Sequence, residues 1–275
     1  MKSGLIIFFL IFICSCNAAK KVDELSSSNA TAQQNAPRLW KSSFPKSVKI
    51  SSGFNTNEKT VINMMLDTYQ TDMENKIDFF DNGGDTPEVS SPTLNPTSLS
   101  NDGILGIYKF SNWPNQYSGS ALAITSTYGL RFNIGQPNEY VEILHADIFI
   151  NTNFYNFDVL TAGPGYDLRS VVIHELGHFL GLDHKSTESN RALSIMYPSL
   201  RSDEIKRNLL SQDKSDLASK YNITLGSSPA LTAQNYRLKY TPNPGQVGIP
   251  VTIITELMSD GTCHHSMNGI FTHKH

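Results

Sequence analysis

Cysteine is nearly missing from this chain: there are three in 275 residues, and two of them, Cys14 and Cys16, stand close to the N-terminus. Removal of an N-terminal leader leaves Cys263 alone, so no internal disulfide framework carries the fold. Charge of one sign is also scarce. The formal net charge is −3, from 22 basic and 25 acidic residues, and this provides no basic footprint for nucleic acid. The apolar stretch from Leu5 to Ile13 is too short to cross a bilayer as a permanent helix. What remains is enough chain for one domain of ordinary size plus a small extension.

The segment that names a chemistry is His174-Glu175-Leu176-Gly177-His178-Phe179-Leu180-Gly181-Leu182-Asp183-His184. On a helix, His174 and His178 stand one turn apart and present two imidazoles on one face, which is half of a zinc site. Glu175 lies beside the first of them, where a carboxylate can take a proton from a metal-bound water. Gly181 lets the chain leave the helix through a backbone geometry that other residues resist, and His184 then arrives as a third ligand. Three histidines leave a fourth position open, as in catalytic rather than structural zinc sites. Val172, Ile173, Leu176, Phe179 and Leu180 fall away from the histidine face and can pack into a core, and Asp167 is the expected N-cap.

This segment resembles the long zinc signature of the metzincin metalloproteases, and its Gly-Leu-Asp-His ending is most similar to the matrixin branch. Ser194-Ile195-Met196-Tyr197-Pro198 resembles that family's Met-turn, whose methionine lies beneath the zinc. Leu210 to Tyr221 is similar to the closing helix, with Ser211 as N-cap. Ala121 to Thr125 resembles the edge strand that bounds the substrate cleft, and Ala146 to Asn151 the strand after it. Together the likeness runs from Phe44 to Asn222. It implies an α+β fold with a twisted, mixed five-stranded sheet, an active-site helix and a C-terminal helix. It also implies one catalytic Zn2+ held by His174, His178 and His184, with Glu175 as general base, in an endopeptidase acting on protein or peptide substrates. An extended substrate would pair with Leu122 to Thr125. Residues after Met196, starting with Tyr197 and Pro198, would wall the pocket beside the zinc.

Two features depart from the animal matrixins. Ser111 to Ser120 contains no His, Asp or Glu, so no structural zinc is expected there. The family's cysteine-bearing latency segment is missing before Trp40. His145 and Asp147, two apart on a strand, read as exposed or structural groups rather than as a metal site.

Along the rest of the chain, residues 1–18 read as a secretory signal. Ile13-Cys14-Ser15-Cys16 resembles a bacterial lipoprotein cleavage box that would make Cys16 a lipid anchor, and ordinary cleavage after Ala18 or Ala19 is the alternative. Residues 19–40 have the composition of a flexible tether and 41–222 form the catalytic region. Expected elements are strands at Val48–Ile50, Lys76–Phe80, Ile104–Phe110, Ala121–Ser126 and Leu144–Ile150, with a helix over Asn57–Met73 and a long loop from Asn82 to Asp102.

Residues 223–275 form a small β extension, with strands at Tyr236–Tyr240 and Val247–Leu257. Its terminal Cys263, His264, His265, His273 and His275 fit no standard metal spacing and read as an incidental cluster. The expectation is an exported, monomeric enzyme of the cell envelope or extracellular space. The competing expectation is a surface-anchored lipoprotein that uses the fold for recognition with little proteolysis.

Overall fold

In a computed structural model, the structure describes residues 36–88, 102–159, 163–226, 240–260 and 264–274. The signal, Cys16 and most of the tether lie outside them, as do Cys263, His275 and nearly all of the strand expected at Tyr236–Tyr240.

The strands are β1 (Arg38–Trp40), β2 (Lys46–Ser51), β3 (Phe80–Thr86), β4 (Leu105–Phe110), β5 (Ala121–Phe132) and β6 (Tyr140–Asn151). They continue with a short pair, β7 (Phe157–Asp158) and β8 (Tyr166–Asp167), and then β9 (Ile249–Met258), β10 (His264–Met267) and β11 (Ile270–Lys274). Helices are α1 (Thr56–Asp72), α2 (Leu168–Phe179) and α3 (Ser211–Tyr221).

The sheet is mixed, as expected, but it is larger than the five strands anticipated. Among the described residues nine strands join it, in the order β11-β10-β9-β5-β6-β4-β2-β3 with β1 against β6. The additions are β1, drawn from what reads as tether, and the three strands of the extension. Composition could not foresee β1, because its three residues are fixed by distant partners. Trp40 is buried and donates from Nε1 to Phe179 O at 2.8 Å, and Arg38 reaches Leu182 O at 3.0 Å and Asp183 Oδ1 at 2.6 Å.

β2, β3 and β4 run parallel to their neighbours, β4 is parallel to β6, and β5 is antiparallel to β6. Successive residues of β6 are buried on both of its faces, which accounts for the unbroken apolar run Ile148-Phe149-Ile150. Ile148 and Ile150 join the main core beneath the helices, whereas Phe149 stacks with Tyr108 and Phe110 on the other face.

Helix α1 begins at a capping box: Glu58 N donates to Asn55 Oδ1 at 3.0 Å and Asn55 N to Glu58 Oε2 at 2.8 Å. Its Tyr69 hydroxyl donates to Ile173 O at 2.7 Å within α2. The second strand lies at Phe80–Thr86 rather than Lys76–Phe80, in what reads as the start of a loop, because Asn82-Gly83-Gly84-Asp85 is carried into the sheet by β2. Ser211 is the first residue of α3 and not its cap. Leu210 takes the cap position, and its N–H donates to Asp213 Oδ2 at 2.9 Å.

Candidate active site

Helix α2 starts where the sequence places it. Asp167 caps it by accepting from Ser170 N at 2.8 Å, and Arg207 braces the same carboxylate. The helix is buried on all sides, so its apolar residues and its histidines are equally enclosed. Its C-terminal carbonyls find side-chain partners: Phe179 O takes Trp40 and Leu180 O takes the Tyr221 hydroxyl at 2.8 Å.

Two glycines set the geometry. Gly181 leaves the helix at φ +81, and a Cβ there would collide with the Arg38 carbonyl oxygen, so both conformation and close approach require glycine. Gly177 faces Met196, and a Cβ there would collide with the methionine sulfur. The Met-turn therefore packs directly under α2, as the resemblance implied.

The three histidines come together. His184 Nε2 lies 3.1 Å from His174 Nε2 and 2.9 Å from His178 Nε2. Each ring is oriented from behind: His174 Nδ1 meets Ile195 O at 2.7 Å and His178 Nδ1 meets Leu182 O at 2.8 Å. A carbonyl can only accept, so these contacts put the proton on Nδ1 and turn the Nε2 lone pair of both rings toward a common point. Burial pushes the His174 pKa down to about 3 and holds His178 and His184 well below the ordinary value. Neutral, enclosed imidazoles with facing lone pairs repel one another unless a cation lies between them. This donor set therefore fits Zn2+, which takes imidazole nitrogen readily.

Glu175 is fully buried beside them. Its Oε2 accepts from the Thr125 hydroxyl at 2.5 Å, while its Oε1 has no hydrogen-bond partner among the described residues. Burial, reinforced by Glu256 and opposed by Thr125, pushes its carboxyl up to about 8. A divalent cation beside it acts in the opposite direction.

Several contacts of the site carry no sequence signal. Thr125 reads as part of the strand beside the cleft, but nothing local shows that it holds the Glu175 carboxylate. Asp213 ties α3 to the Met-turn, accepting from Ser194 Oγ at 2.5 Å and Ile195 N at 2.9 Å. The pocket beside His174 is lined by Ser170, Ile195, Tyr197, Ser199, Leu200 and Lys206; of the two residues expected to start its wall, Tyr197 is among them and Pro198 is not. Leu257, from the far end of the chain, lines it too.

Two expectations are corrected. The strand Ala121–Ser126 is not an edge, because β5 runs on to Phe132 and is paired along its outer side by β9. The C-terminal histidines are not all incidental, because His265 Nε2 lies 2.9 Å from His184 Nδ1. Spacing within the tail is uninformative here, since the partner is 81 residues away. His145 and Asp147 are structural: both are buried, they bond to each other at 2.9 Å, and Asp147 accepts from Gly106 N.

Residues 69–222 match the peptidase family described as Matrixin, a span that takes in all three histidines and the Met-turn. Metalloendoproteinase 2-MMP of Arabidopsis thaliana is 35% identical over 82 residues, covering 28% of this chain and 21% of that protein. Metalloendoproteinase 4-MMP of the same plant is 38% identical over 76 residues, covering 26% of this chain and 21% of that protein. The matched stretch spans about a fifth of the length of these curated relatives. With the family match running over more than half of its length, this chain belongs to the matrixin family.

Proposed function

We propose that this protein is a zinc-dependent endopeptidase that hydrolyses peptide bonds of extracytoplasmic proteins. The observation that carries the reading is the convergence of three Nε2 atoms beside a buried carboxylate with one oxygen left unpartnered among the described residues. His174, His178 and His184 would hold the ion. When bound, Zn2+ supplies Lewis acidity toward a water and toward the carbonyl under attack.

The remaining roles belong to the chain. Ile195 O and Leu182 O keep two ligand rings in the tautomer that binds. Glu175 Oε1 accepts the proton of the attacking water and afterwards delivers it to the departing amine. Thr125 pins Oε2 so that the other oxygen stays directed to the reaction. Met196 and α2 close the site from below and exclude solvent there.

Metal analysis combined with casein cleavage by the wild type and Glu175→Ala tests the reading. One zinc per chain and chelator-sensitive cleavage are expected, with activity falling about 10²–10⁴-fold in the variant while the zinc is retained. Equal cleavage by the two proteins would defeat the mechanism.

We further propose that the enzyme is exported and acts as a monomer, tethered through a lipid on Cys16. The leader composition supports export, and no described helix is long and apolar enough to cross a membrane. Fatty-acid labelling that persists in Cys16→Ala would remove the anchor, and a dimer by light scattering would remove the monomer. The competing reading, a binding lipoprotein with little proteolysis, draws support from one observation: β9 covers the strand that a substrate would need. The casein assay decides against it if wild-type cleavage is lost in Glu175→Ala.

A further inference from the structure

β9 does more than extend the sheet. It is antiparallel to β5 from Ala121↔Met258 to Arg131↔Ile249, and on its other side Met258 forms a parallel bridge with Ser199. Met258 N donates to Pro198 O at 3.1 Å and Leu200 N donates to Met258 O at 3.0 Å. The segment Thr255–Met258 therefore lies between the strand that carries Thr125 and the stretch that follows the Met-turn.

Its side chains reach the candidate reaction centre. Thr255 Oγ1 donates to Thr125 O at 3.3 Å, and Thr125 is the residue that holds Glu175. Leu257 is buried and packs beside His174, where Ser170, Ile195, Tyr197, Ser199, Leu200 and Lys206 line the same small pocket. Beyond it, β10 brings His265 onto the back of His184. Any peptide presented to Glu175 and the three histidines along β5 meets this segment first, because main-chain pairing leaves no second set of donors and acceptors on that side of β5.

We propose that the C-terminal unit, residues 249–274, is a built-in inhibitor: β9 occupies the substrate cleft as an extended peptide, seats Leu257 in the pocket beside His174, and must be displaced before the enzyme acts. This rests on the peptidase reading above. Strand addition reads main-chain groups and tolerates many sequences, so a segment of the same chain can hold the place that a substrate takes. An intramolecular occupant has a high effective concentration and competes well even when its intrinsic affinity is modest. The seal is also imperfect. The Ser126 and Thr127 hydroxyls on β5 are buried without a hydrogen-bond partner among the described residues, a penalty that uncovering the strand removes.

The full chain and its Leu257→Arg variant test this, since a long cationic side chain cannot take the place of a buried leucine packed beside His174 and Lys206. Casein cleavage should rise roughly tenfold or more in the variant, as the fraction of open molecules increases. Hydrogen exchange should quicken in β9 and β5 while α2 stays protected. A labelled peptide of the sequence Ile249–Met258 should bind Glu175→Ala/Leu257→Arg and not Glu175→Ala alone, a readout that needs no catalysis. If Leu257→Arg leaves β9 protected, deletion of residues 249–275 with zinc content as the check on folding replaces it, and the same rise is expected.

Equal, measurable cleavage in wild type and variant with β9 released would overturn the proposal and leave the peptidase reading standing. Absence of cleavage in both, with β9 released and zinc bound, would overturn the peptidase reading and the inhibitory role with it. Failure of the labelled peptide to bind the opened double variant would show that β9 is an ordinary structural strand.

Discussion

The two neighbours of β5 look alike and are built differently. Both are antiparallel to it over most of its length: β6 from Ala123↔Ile150 to Phe132↔Tyr140, and β9 from Ala121↔Met258 to Arg131↔Ile249. Yet β6 also holds β4 and β1, and its Ile148 and Ile150 sit in the core under the helices. Of the β9 side chains only Leu257 enters that core; Ile254 and Met258 belong to a second apolar cluster, and Val251 and Ile253 to a third. Ladder hydrogen bonds do not distinguish a permanent strand from a displaceable one. What differs is the core that the buried side chains join, because that decides which part of the molecule loses packing when the strand leaves.

That difference can be broken by paired substitutions. Ile148→Ala should lower the unfolding free energy of the whole domain by about 2–5 kcal/mol, the cost of a cavity in a close-packed core. Ile253→Ala on β9, in a small cluster of its own, should cost about 2 kcal/mol, the low end of that range, with faster hydrogen exchange confined to β9, β10 and β11. Denaturant titration and exchange read the two cases, and equal costs with equally global exchange would erase the contrast.

A somewhat smaller effect is expected at Asp213, which ties α3 to the Met-turn. It accepts three hydrogen bonds, from Ser194, Ile195 and Leu210, and the Ile195 carbonyl in turn orients His174. Asp213→Ala should cost about 2–3 kcal/mol by stranding those buried donors. It should also weaken zinc binding roughly 10–100-fold, as loss of a group behind a metal ligand does. Calorimetry with a competing chelator measures both. Unchanged zinc affinity would mean that the Met-turn holds its shape without α3.

Legibility in the sequence followed the same divide. Within residues 69–222 the chemistry is local: ligands, base, glycine exit and Met-turn fall in short spacings that helix geometry converts directly into a site. Helix α1 and strands β2, β4 and β6 were legible to within a few residues because their apolar periodicity is strong. What stayed hidden depends on distant pairing. β1 is too short to carry a pattern, and β3 is built from Asn, Gly and Asp, which ordinarily signal a loop. Val247–Leu257 was readable as a strand, but no local feature reveals that it pairs with β5 or that Leu257 ends beside His174. His265 was visible only as one of a cluster, for the same reason.

The smallest expected effect concerns Asp167, which caps the N-terminus of α2. Burial acts to raise its pKa, but hydrogen bonds from Arg207 and Ser170 outweigh it and hold the carboxyl below the usual range. The sign follows from that depression. The stability it supplies is complete above the ordinary Asp value near about 4 and is lost as pH falls through the lower folded value. Asp167→Asn keeps a competent cap and loses the ionic partner, so it should cost about 1–2 kcal/mol at neutral pH, shrinking toward zero in acid. Thermal unfolding of both proteins across the acid range measures this, and a pH-independent difference would assign the cost to geometry rather than charge. The same substitution made in Leu257→Arg carries the comparison one step further. If β9 is an occupant rather than a support, the cost at Asp167 is the same with β9 docked or displaced, even though Ser170, which Asp167 caps, lines the same pocket as Leu257. A cost that changes by more than about 0.5 kcal/mol would mean that α2 and β9 are coupled and that the extension belongs to the fold it covers.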